Sequence, residues 1–309
     1  MSMSNIFRPI DFDIIYLSYD EPNAEKNYAD LLNKVPWAKR VHGVKGSDSA
    51  HKACAKLSDT WRFVTVDGDN TLRPEFLNLE IPVDQIPNYD KVQLSWCGYN
   101  IINGLIYGNG GVKCWTKEHV LNMKTHENSN SKDETNQVDF CWDGNYLQLN
   151  ACFSDVHNNA TPFQAWRAGF REGVKMVLNR GEMKDKKEFR RTIHWKNYKR
   201  LLTWMTIGAD VENGLWAIYG ARLGCHMTVL LSWDYRNVRD FDYLEKFYKE
   251  NVEGLSPEVL NSKIMELGDE LRATLDIPLE SVFTKTQSEF FKEVFDNPVR
   301  NHNMTLFEK

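Results

Sequence analysis

The feature that most constrains this chain is a short apolar and β-branched run that ends in two carboxylates. Residues 63–66 read FVTV, and Asp67, Gly68 and Asp69 follow directly. Such a run predicts a buried strand, and a glycine between two aspartates predicts a tight acidic turn. In an open α/β sheet, ligands bind outside the carboxyl ends of the strands. The pattern therefore favours a ligand site at this turn, although a solvated turn explains the same residues.

The chemistry of the turn narrows the class of ligand. Paired carboxylates are hard oxygen ligands, which suit Mg²⁺ or Mn²⁺. An ion of this kind usually carries the phosphates of a substrate with it. A phosphate-bearing substrate is therefore the first class to consider for this site.

The residues before the turn predict half of a doubly wound nucleotide-binding fold. Apolar runs and helical spacing give, in order, a strand at 12–18, a helix at 24–35, a strand at 38–41, a helix at 49–57 and the strand that ends at Asp67. The first turn lacks the glycine-rich fingerprint of dinucleotide-binding enzymes. A nicotinamide or flavin enzyme is therefore excluded, and residues 71–90, rich in Pro, Asp and Asn, predict a surface connection.

Composition and cysteine spacing indicate a compartment. The chain has 309 residues, a formal net charge of −5 and six cysteines, with no C-x-x-C pair. This spacing argues against a zinc site or a disulfide framework, and so favours a reducing environment. No stretch has the pattern of a signal peptide or the length of a membrane span. We expect a cytoplasmic enzyme, in the host cytoplasm if viral, with no membrane partner.

Two later stretches have patterns that fit a substrate site. Residues 103–113, NGLIYGNGGVK, hold four glycines in a short span, which fits either a substrate-contacting loop or a mobile surface loop. A helix is predicted at 162–179, with Thr161 as its cap. Beside its apolar face, Arg167, Arg171 and Lys175 recur every four residues, which fits either a solvated face or contact with phosphates.

The segment 180–200 is strongly basic. It contains several lysines and arginines, together with Trp195 and Tyr198, against three acidic residues. This composition fits either a nucleic-acid contact or an ordinary exposed helix and turn. Residues 200–232, with regularly placed glycines, predict strands and turns, and the chain from residue 237 onward predicts helices.

Three motifs in fixed order, together with the acidic turn, resemble a known family. They are residues 40–46 (RVHGVKG), 103–113 (NGLIYGNGGVK) and 162–172 (PFQAWRAGFRE). With the acidic turn they resemble the GT-A glycosyltransferases, and within that superfamily the phage enzymes that glycosylate hydroxymethylated pyrimidines in DNA. The resemblance covers about residues 12–230.

The resemblance implies a fold and its division. The fold would be α/β and GT-A-like, a half-Rossmann nucleotide-binding sheet with an Asp-x-Asp turn, followed by a mainly helical C-terminal extension. The glycosyltransferase domain would span 1–232, with a nucleotide-sugar-binding half at 12–70 and an acceptor-binding half at 91–232 that includes the basic segment 180–200. The helical extension would span 233–309.

The resemblance also implies an activity and its partners. A sugar would pass from a nucleoside-diphosphate sugar, UDP-linked glucose or a pentose such as arabinose, to the hydroxyl of 5-hydroxymethylcytosine or a related base in DNA. The reaction would need Mn²⁺ or Mg²⁺, and residues 184–200 would contact the DNA. Two alternatives stay open: a glycosyltransferase acting on a polysaccharide or protein, and a non-catalytic nucleotide- or nucleic-acid-binding module. The oligomeric state is left open.

Roles for single residues follow from the same resemblance. Asp69 would bind the metal ion and Asp67 the ribose or, through a water, the metal. His157 and His226 are candidate third ligands, with a structural role as the alternative for each. The catalytic base would be Asp155, or else Glu172. The donor would contact Ser18, Tyr19, Asp20, Glu21, Lys45, Asp67, Gly110, Gly111, Lys113, Arg167 and Arg171. Separately from the resemblance, Trp96, Tyr99, Tyr107 and Trp166 lie near the predicted active-site loops and are candidates to stack on an extruded base, with core packing as the favoured role of Trp166.

Overall fold

The computed structural model describes residues 5–108, 111–124, 145–179, 181–183, 185–231, 233–279 and 281–295. The strands are β1 (Ile6–Phe7), β2 (Asp13–Ser18), β3 (Lys39–His42), β4 (Arg62–Asp67), β5 (Asn70–Leu72), β6 (Ile81–Pro82), β7 (Gln93–Asn100), β8 (Ile106–Tyr107), β9 (Val112–Thr116) and β10 (Tyr146–Val156). The α-helices are α1 (Ala24–Lys34), α2 (Ser47–Leu57), α3 (Lys117–Asn122), α4 (Pro162–Val177), α5 (Phe189–Thr192), α6 (Trp195–Trp204), α7 (Gly214–Val229), α8 (Phe241–Asn251), α9 (Pro257–Leu275) and α10 (Lys285–Val294). Short 3-10 helices cover Pro9–Asp11, Pro74–Asn78, Val83–Gln85, Lys186–Glu188 and Tyr235–Arg239.

One mixed sheet organises the first half of the chain. Within the described residues its strands follow the order β3-β2-β4-β9-β7-β10-β5, and β8 pairs with β7. β2 is parallel to β3 and β4, β7 is parallel to β10, and β9 runs antiparallel between β4 and β7. The carboxyl ends of β2, β3, β4, β7 and β10 therefore meet at one edge of the sheet. The amino ends of β5 and β9 reach the same edge.

The strand and helix order predicted for residues 12–67 is confirmed. β2 and β4 are buried along most of their length, as expected for central strands covered on both faces. α1 packs its apolar face on the sheet through Ala24 and Leu31, which are 3% and 1% exposed. The fold is mixed α/β with a helical C-terminal part, and this is consistent with the GT-A-like class expected from the sequence.

The surface connection predicted at residues 71–90 is confirmed only in part, because half of its residues are exposed while others are buried against the sheet. β5 pairs antiparallel with β10, and Phe76 is fully buried. The ring of Phe76 meets the ring of Trp96 edge-on, with centroids 4.9 Å apart. The Pro- and Asp-rich composition of this stretch gave no sign that Phe76 is buried. The burial of this ring fixes the segment against the sheet.

The helix predicted at 162–179 is confirmed as α4. The Thr161 hydroxyl accepts a hydrogen bond from the backbone N–H of Gln164 at 3.1 Å, and Pro162 occupies the first helical position. The strands predicted at 200–232 are wrong, because the chain there forms part of α6 and the whole of α7. α7 is buried on nearly every side, so its sequence lacks the one-sided apolar period that marks an exposed helix.

The glycines that suggested turns instead bring α4 and α7 together. A Cβ atom added at any of four glycines in these helices would overlap a backbone carbonyl oxygen of the other helix. The overlaps pair Gly169 with Ala217, Gly173 with Ala221, Gly220 with Trp166 and Gly224 with Phe170. The two backbones are therefore in direct contact along more than one turn, a packing that only hydrogen side chains permit.

The C-terminal helices, whose presence the sequence predicts correctly, share their apolar core with α4 and α7. Arg222 of α7 is fully buried and donates to the carbonyl of Ile264 in α9 at 2.7 Å. Lys292 of α10 donates to the carboxylate of Asp210 at 2.6 Å and to the carbonyl of Ile101 at 2.9 Å. These bonds tie α9 to α7, and α10 to the segments before α7 and after β7. Among the helices of the described residues, none is long and apolar enough to cross a membrane.

Candidate active site

Hydrogen bonds from neighbouring elements hold the backbone of the acidic turn in place. The carbonyl oxygen of Gly68 accepts hydrogen bonds from the Tyr16 hydroxyl at 2.6 Å and from the Asn27 amide at 3.0 Å. The backbone N–H of Asp67 donates to the carbonyl of Gly111 at 2.9 Å. Because both sides of the turn are bonded to neighbouring elements, its backbone is held in place at the carboxyl edge of the sheet.

Negative charge is concentrated around Asp69. Burial, with the nearby charges of Asp67 and Glu21, raises the pKa of Asp69 to about 6. A hydrogen bond from the Asn70 amide, at 2.6 Å, and the positive charge of Arg167 act in the opposite direction. Burial also raises the pKa of Glu21, with Asp67 and Asp20 adding to it. A cluster of carboxylates that disfavour one another's charge attracts a cation.

The glycine loop contacts the acidic turn directly. A Cβ atom at Gly111 would lie 2.5 Å from the side-chain nitrogen of Asn70 and 2.6 Å from Cβ of Asp67. Two residues later, the ammonium of Lys113 lies 3.5 Å from a carboxylate oxygen of Asp67. Gly110 is outside the described residues. The loop therefore needs a glycine at 111 so that its backbone can approach the turn.

The first loop lies on the other side of the same turn. Tyr19 donates its backbone N–H to the Glu21 carboxylate at 2.8 Å, and that carboxylate packs against Gly68. The Ser18 hydroxyl at the end of β2 is hydrogen-bonded to the His42 ring at 2.9 Å. Asp20 is exposed. The donor contacts expected from Ser18–Glu21 thus lie at the carboxyl edge, and Glu21 reaches the turn itself.

Three cations assigned to the donor lie around one aromatic ring or beside it. The guanidinium groups of Arg167 and Arg171 lie 5.1 and 4.6 Å from the ring centre of Phe241, the first residue of α8. Lys45 forms an ion pair with Asp242 at 2.7 Å, and both side chains are mostly exposed. The C-terminal helical part therefore reaches the cations that the sequence assigned to the donor, and nothing in the sequence pattern of Phe241 indicated this contact.

The two candidate bases have different surroundings. Asp155 in β10 pairs with Thr71, two residues beyond Asp69, and one of its oxygens accepts from Nε and Nη2 of Arg73 at 3.1 and 2.5 Å. Glu172 is only 6% exposed and is bonded to the Tyr107 hydroxyl at 2.6 Å and to Lys175 at 2.5 Å. Asp155 therefore lies at the carboxyl edge of the sheet, whereas Glu172 is buried between α4 and β8.

The two histidines are placed apart. The ring of His157 is hydrogen-bonded to the Thr71 hydroxyl at 2.9 Å, and burial lowers its pKa. His226 lies in α7, 2.5 Å from the Glu270 carboxylate of α9. Across the residues that the structure describes, no group of three or more His, Cys, Asp and Glu side chains could hold a metal ion. Asp67 and Asp69 fit the other arrangement, in which two carboxylates bind Mg²⁺ together with substrate phosphates.

Most of the aromatic residues proposed to stack on a base cannot do so. Trp96, Tyr107 and Trp166 are 1%, 7% and 0% exposed, so the stacking role is wrong for the first two, and the core packing favoured for Trp166 is confirmed. Tyr99 is partly exposed, and its ring lies 5.7 Å from the guanidinium of Arg73. The large aromatic residues fill the core, as their size favours.

The basic segment forms two short helical turns followed by α6. Within it, Arg190 stacks on the Tyr198 ring and donates to the carbonyl of Asp276 at 3.2 Å, and Arg191 pairs with Glu188 at 3.1 Å. Arg180 and Lys184 lie outside the described residues. The segment is therefore partly neutralised by its own contacts, and Trp195, near its C-terminal end, is 56% exposed.

Comparison with known proteins gives little beyond this geometry. No protein-family profile and no curated protein matches the sequence. A solved glycosyltransferase involved in the glycosylation of the major capsid of PBCV-1 is 15% identical over 45% of this chain and 81% of its own, with a TM-score of 0.26. HddC from Yersinia pseudotuberculosis is 14% identical over 45% of this chain and 68% of its own, with a TM-score of 0.25. At such TM-scores neither likeness carries an argument about this protein.

Proposed function

We propose that this protein is a glycosyltransferase that moves a sugar from a nucleoside-diphosphate sugar to a hydroxyl group in DNA. The observation that carries the proposal is the acidic turn, which is bonded on both sides and flanked by cations at the carboxyl edge of the sheet. This is the position where open α/β sheets bind nucleotides. The turn offers two carboxylates for an ion, and Arg167 and Lys113 offer charge for phosphates.

The donor half of the reaction requires help for the departing diphosphate. The bond between the sugar C1 and the phosphate oxygen breaks, and the diphosphate leaves with the electron pair. Asp69 and Asp67 would hold Mn²⁺ or Mg²⁺, which neutralises charge that develops on this leaving group. Arg167 and Arg171, oriented by the Phe241 ring, supply fixed positive charge in the same region.

The acceptor half requires removal of one proton as the new bond between C1 and the acceptor oxygen forms. We assign this to Asp155, which lies at the ligand-binding edge beside the segment that carries Asp69. Arg73 holds the carboxylate in one orientation through two hydrogen bonds. A positioned carboxylate of this kind can accept the proton during bond formation. The Glu172 carboxylate is engaged by Tyr107 and Lys175 and serves the packing of α4.

The acceptor we propose is a hydroxymethylpyrimidine, with 5-hydroxymethylcytosine as the first choice. The 5-hydroxymethyl group of a pyrimidine projects into the major groove, where it is accessible in the duplex or after the nucleotide is extruded. The exposed cations of the basic segment, Lys186, Lys187 and Arg191, support a polyanionic acceptor. UDP-linked glucose and a UDP-linked pentose such as arabinose are the donors to test first.

The test is mass spectrometry of acceptors after incubation with the protein, Mn²⁺ and a panel of nucleotide sugars. The acceptors are hydroxymethylated duplex DNA, the same DNA without hydroxymethyl groups, and a soluble oligosaccharide. We expect sugar on the hydroxymethylated DNA alone, and none when a chelator replaces the metal. Sugar on the oligosaccharide and on neither DNA would overturn the assigned acceptor, and the absence of any donor turnover would overturn the assigned activity.

A further inference from the structure

One exposed aromatic residue has the surroundings of a nucleic-acid contact. Trp195, the first residue of α6, is 56% exposed. The ammonium groups of Lys196 and Lys199 lie 5.6 and 5.5 Å from its ring centre, and the His194 ring stacks at 6.0 Å. An exposed tryptophan beside two lysine ammonium groups offers a flat surface for a base and positive charge for the adjoining phosphates.

The same helix leads from this residue towards the candidate active site. Arg200, five residues further along α6 and so about 7.5 Å along the helix axis, lies with its guanidinium 4.7 Å from the ring centre of Tyr107. Trp204 donates to the Tyr107 hydroxyl at 3.1 Å, which fixes α6 to β8. Gly111, four residues after the end of β8, packs against the acidic turn. α6 therefore links Trp195 to β8, which is close in sequence to Gly111.

The cations beside Trp195 can serve phosphates without loss of the fold. Lys199 is exposed, and the lysine side chains reach the ring through flexible stems. Contacts between a lysine and an exposed aromatic face are weak, so a phosphate group competes readily with them. When the ammonium groups move to phosphates, the face of the indole is uncovered for a base.

We infer that Trp195 is a stacking platform for a base of the acceptor nucleic acid, and that Lys196 and Lys199 contact the phosphates beside that base. The inference rests on the proposed function for the identity of the acceptor. Its chemistry requires unpaired bases, because only an unstacked base exposes a face to the indole. The partner is therefore a single-stranded or locally opened segment of the DNA acceptor.

The experiment measures binding without donor sugar, by fluorescence anisotropy of labelled oligonucleotides. The probes are a single-stranded oligonucleotide of mixed sequence and a fully abasic one of equal length, which keeps the phosphates and lacks the bases. Trp195→Ala should weaken binding to the first by about tenfold or more and leave binding to the second within about twofold. Trp195→Phe should retain most of the affinity.

Two further variants make the result specific. Trp37→Ala removes another tryptophan that is 56% exposed, in the turn between α1 and β3, and should change neither affinity. Lys196→Gln with Lys199→Gln should weaken binding to both probes, and the salt slope should fall by about 0.7 for each lost contact to a single-strand phosphate.

The outcomes separate this inference from the proposed activity. If the wild-type protein binds the oligonucleotide and Trp195→Ala binds it equally well, the stacking role is refuted and the proposed activity is unaffected. An equal loss on both probes would also refute stacking, because the abasic probe has no base to stack. If the wild-type protein binds neither probe yet transfers sugar to hydroxymethylated duplex DNA, the stacking inference fails while the proposed activity stands.

Discussion

The backbone N–H of His157 donates to the carbonyl oxygen of Asp69 at 2.7 Å. The carbonyl of His157 in turn accepts from the Asn23 amide at 2.8 Å, at the start of α1. The loop that leads into α4 is thus bonded to the acidic turn on one side and to α1 on the other. These two bonds fix the loop before α4 beside the acidic turn, and we expect this arrangement to persist without substrate.

The stability of the protein should depend on the ionisation of Asp69. Its pKa is about 6 in the folded chain against an ordinary value of 3.8, so the folded state holds a proton that the unfolded state releases between these values. Stability contributed by this group therefore falls as pH rises through that window, by up to about 3 kcal/mol. Asp69→Asn should lack this fall. Urea unfolding between pH 4 and 8 without divalent ions measures it, and identical pH profiles for the two proteins would contradict the assignment.

Gly111→Ala should disturb the acidic turn. The added methyl group would lie 2.5 Å from the Asn70 amide and 2.6 Å from Cβ of Asp67, so the loop or the turn must move. We expect donor binding to weaken about tenfold or more, measured by calorimetry with a nucleotide sugar and Mn²⁺. Gly108→Ala is the matched control, because its methyl group meets the flexible end of Gln148. Equal behaviour of the two variants would show that the approach of Gly111 is unimportant.

Asp155→Asn should separate binding from chemistry. The amide keeps an oxygen for Arg73 and loses the ability to accept a proton, so turnover should fall by about 10²-fold or more. The KM for donor should change little, because the donor contacts lie elsewhere. Steady-state kinetics with hydroxymethylated DNA gives both numbers. Turnover within a few-fold of wild type would remove Asp155 as the base.

Glu172→Gln should lower the stability of the folded protein and leave the rate of sugar transfer unchanged. The substitution leaves Lys175 without the carboxylate that lies 2.5 Å away in a largely buried position. Breaking a buried ion pair from one side costs about 3 kcal/mol. Denaturant unfolding should show this loss, with turnover per folded molecule unchanged. A stable variant with lost turnover would instead place Glu172 in the catalytic step.

Phe241→Ala should weaken donor binding through two arginines. The ring lies 5.1 Å from the guanidinium of Arg167 and 4.6 Å from that of Arg171, so its removal frees both side chains. We expect the KM for nucleotide sugar to rise about fivefold, from the loss of two cation–π contacts. Phe290→Ala, at another exposed phenylalanine, is the control and should leave the KM unchanged. An unchanged KM in both variants would show that Phe241 of α8 does not contribute to donor binding.

Sequence patterns predicted those helices and strands that are marked by nearby residues, such as an apolar run or a helix cap. The strand before Asp67 and the helix after Thr161 each carry their own signal, an apolar run or a cap with Pro162, and both are confirmed. α7 carries no such signal. Gly220 and Gly224 were interpreted as turn residues. They are needed instead because the backbone of α4, more than forty residues earlier in the chain, packs directly against them. Contacts of that range leave no periodic trace in one sequence.

The residues of the candidate site likewise divide into those that the sequence predicts and those that only the structure reveals. The carboxylates at 67 and 69 and the approach of Gly111 follow from strand ends and glycine spacing, which the sequence displays. The Phe241 ring and the Arg73 guanidinium join the site through tertiary packing alone. His226 was a reasonable metal ligand by residue type, and only the fold shows it paired with Glu270.

The contact between α4 and α7 limits how this protein can move. Where hydrogen atoms of glycine face carbonyl oxygens of the opposite helix, a slide of even a fraction of a turn would drive a neighbouring side chain into that main chain. The two helices therefore cannot slide past each other during a conformational change. Any rearrangement around the acidic turn therefore has to come from the segments that border it, while the α4 backbone that carries Arg167 and Arg171 stays in place.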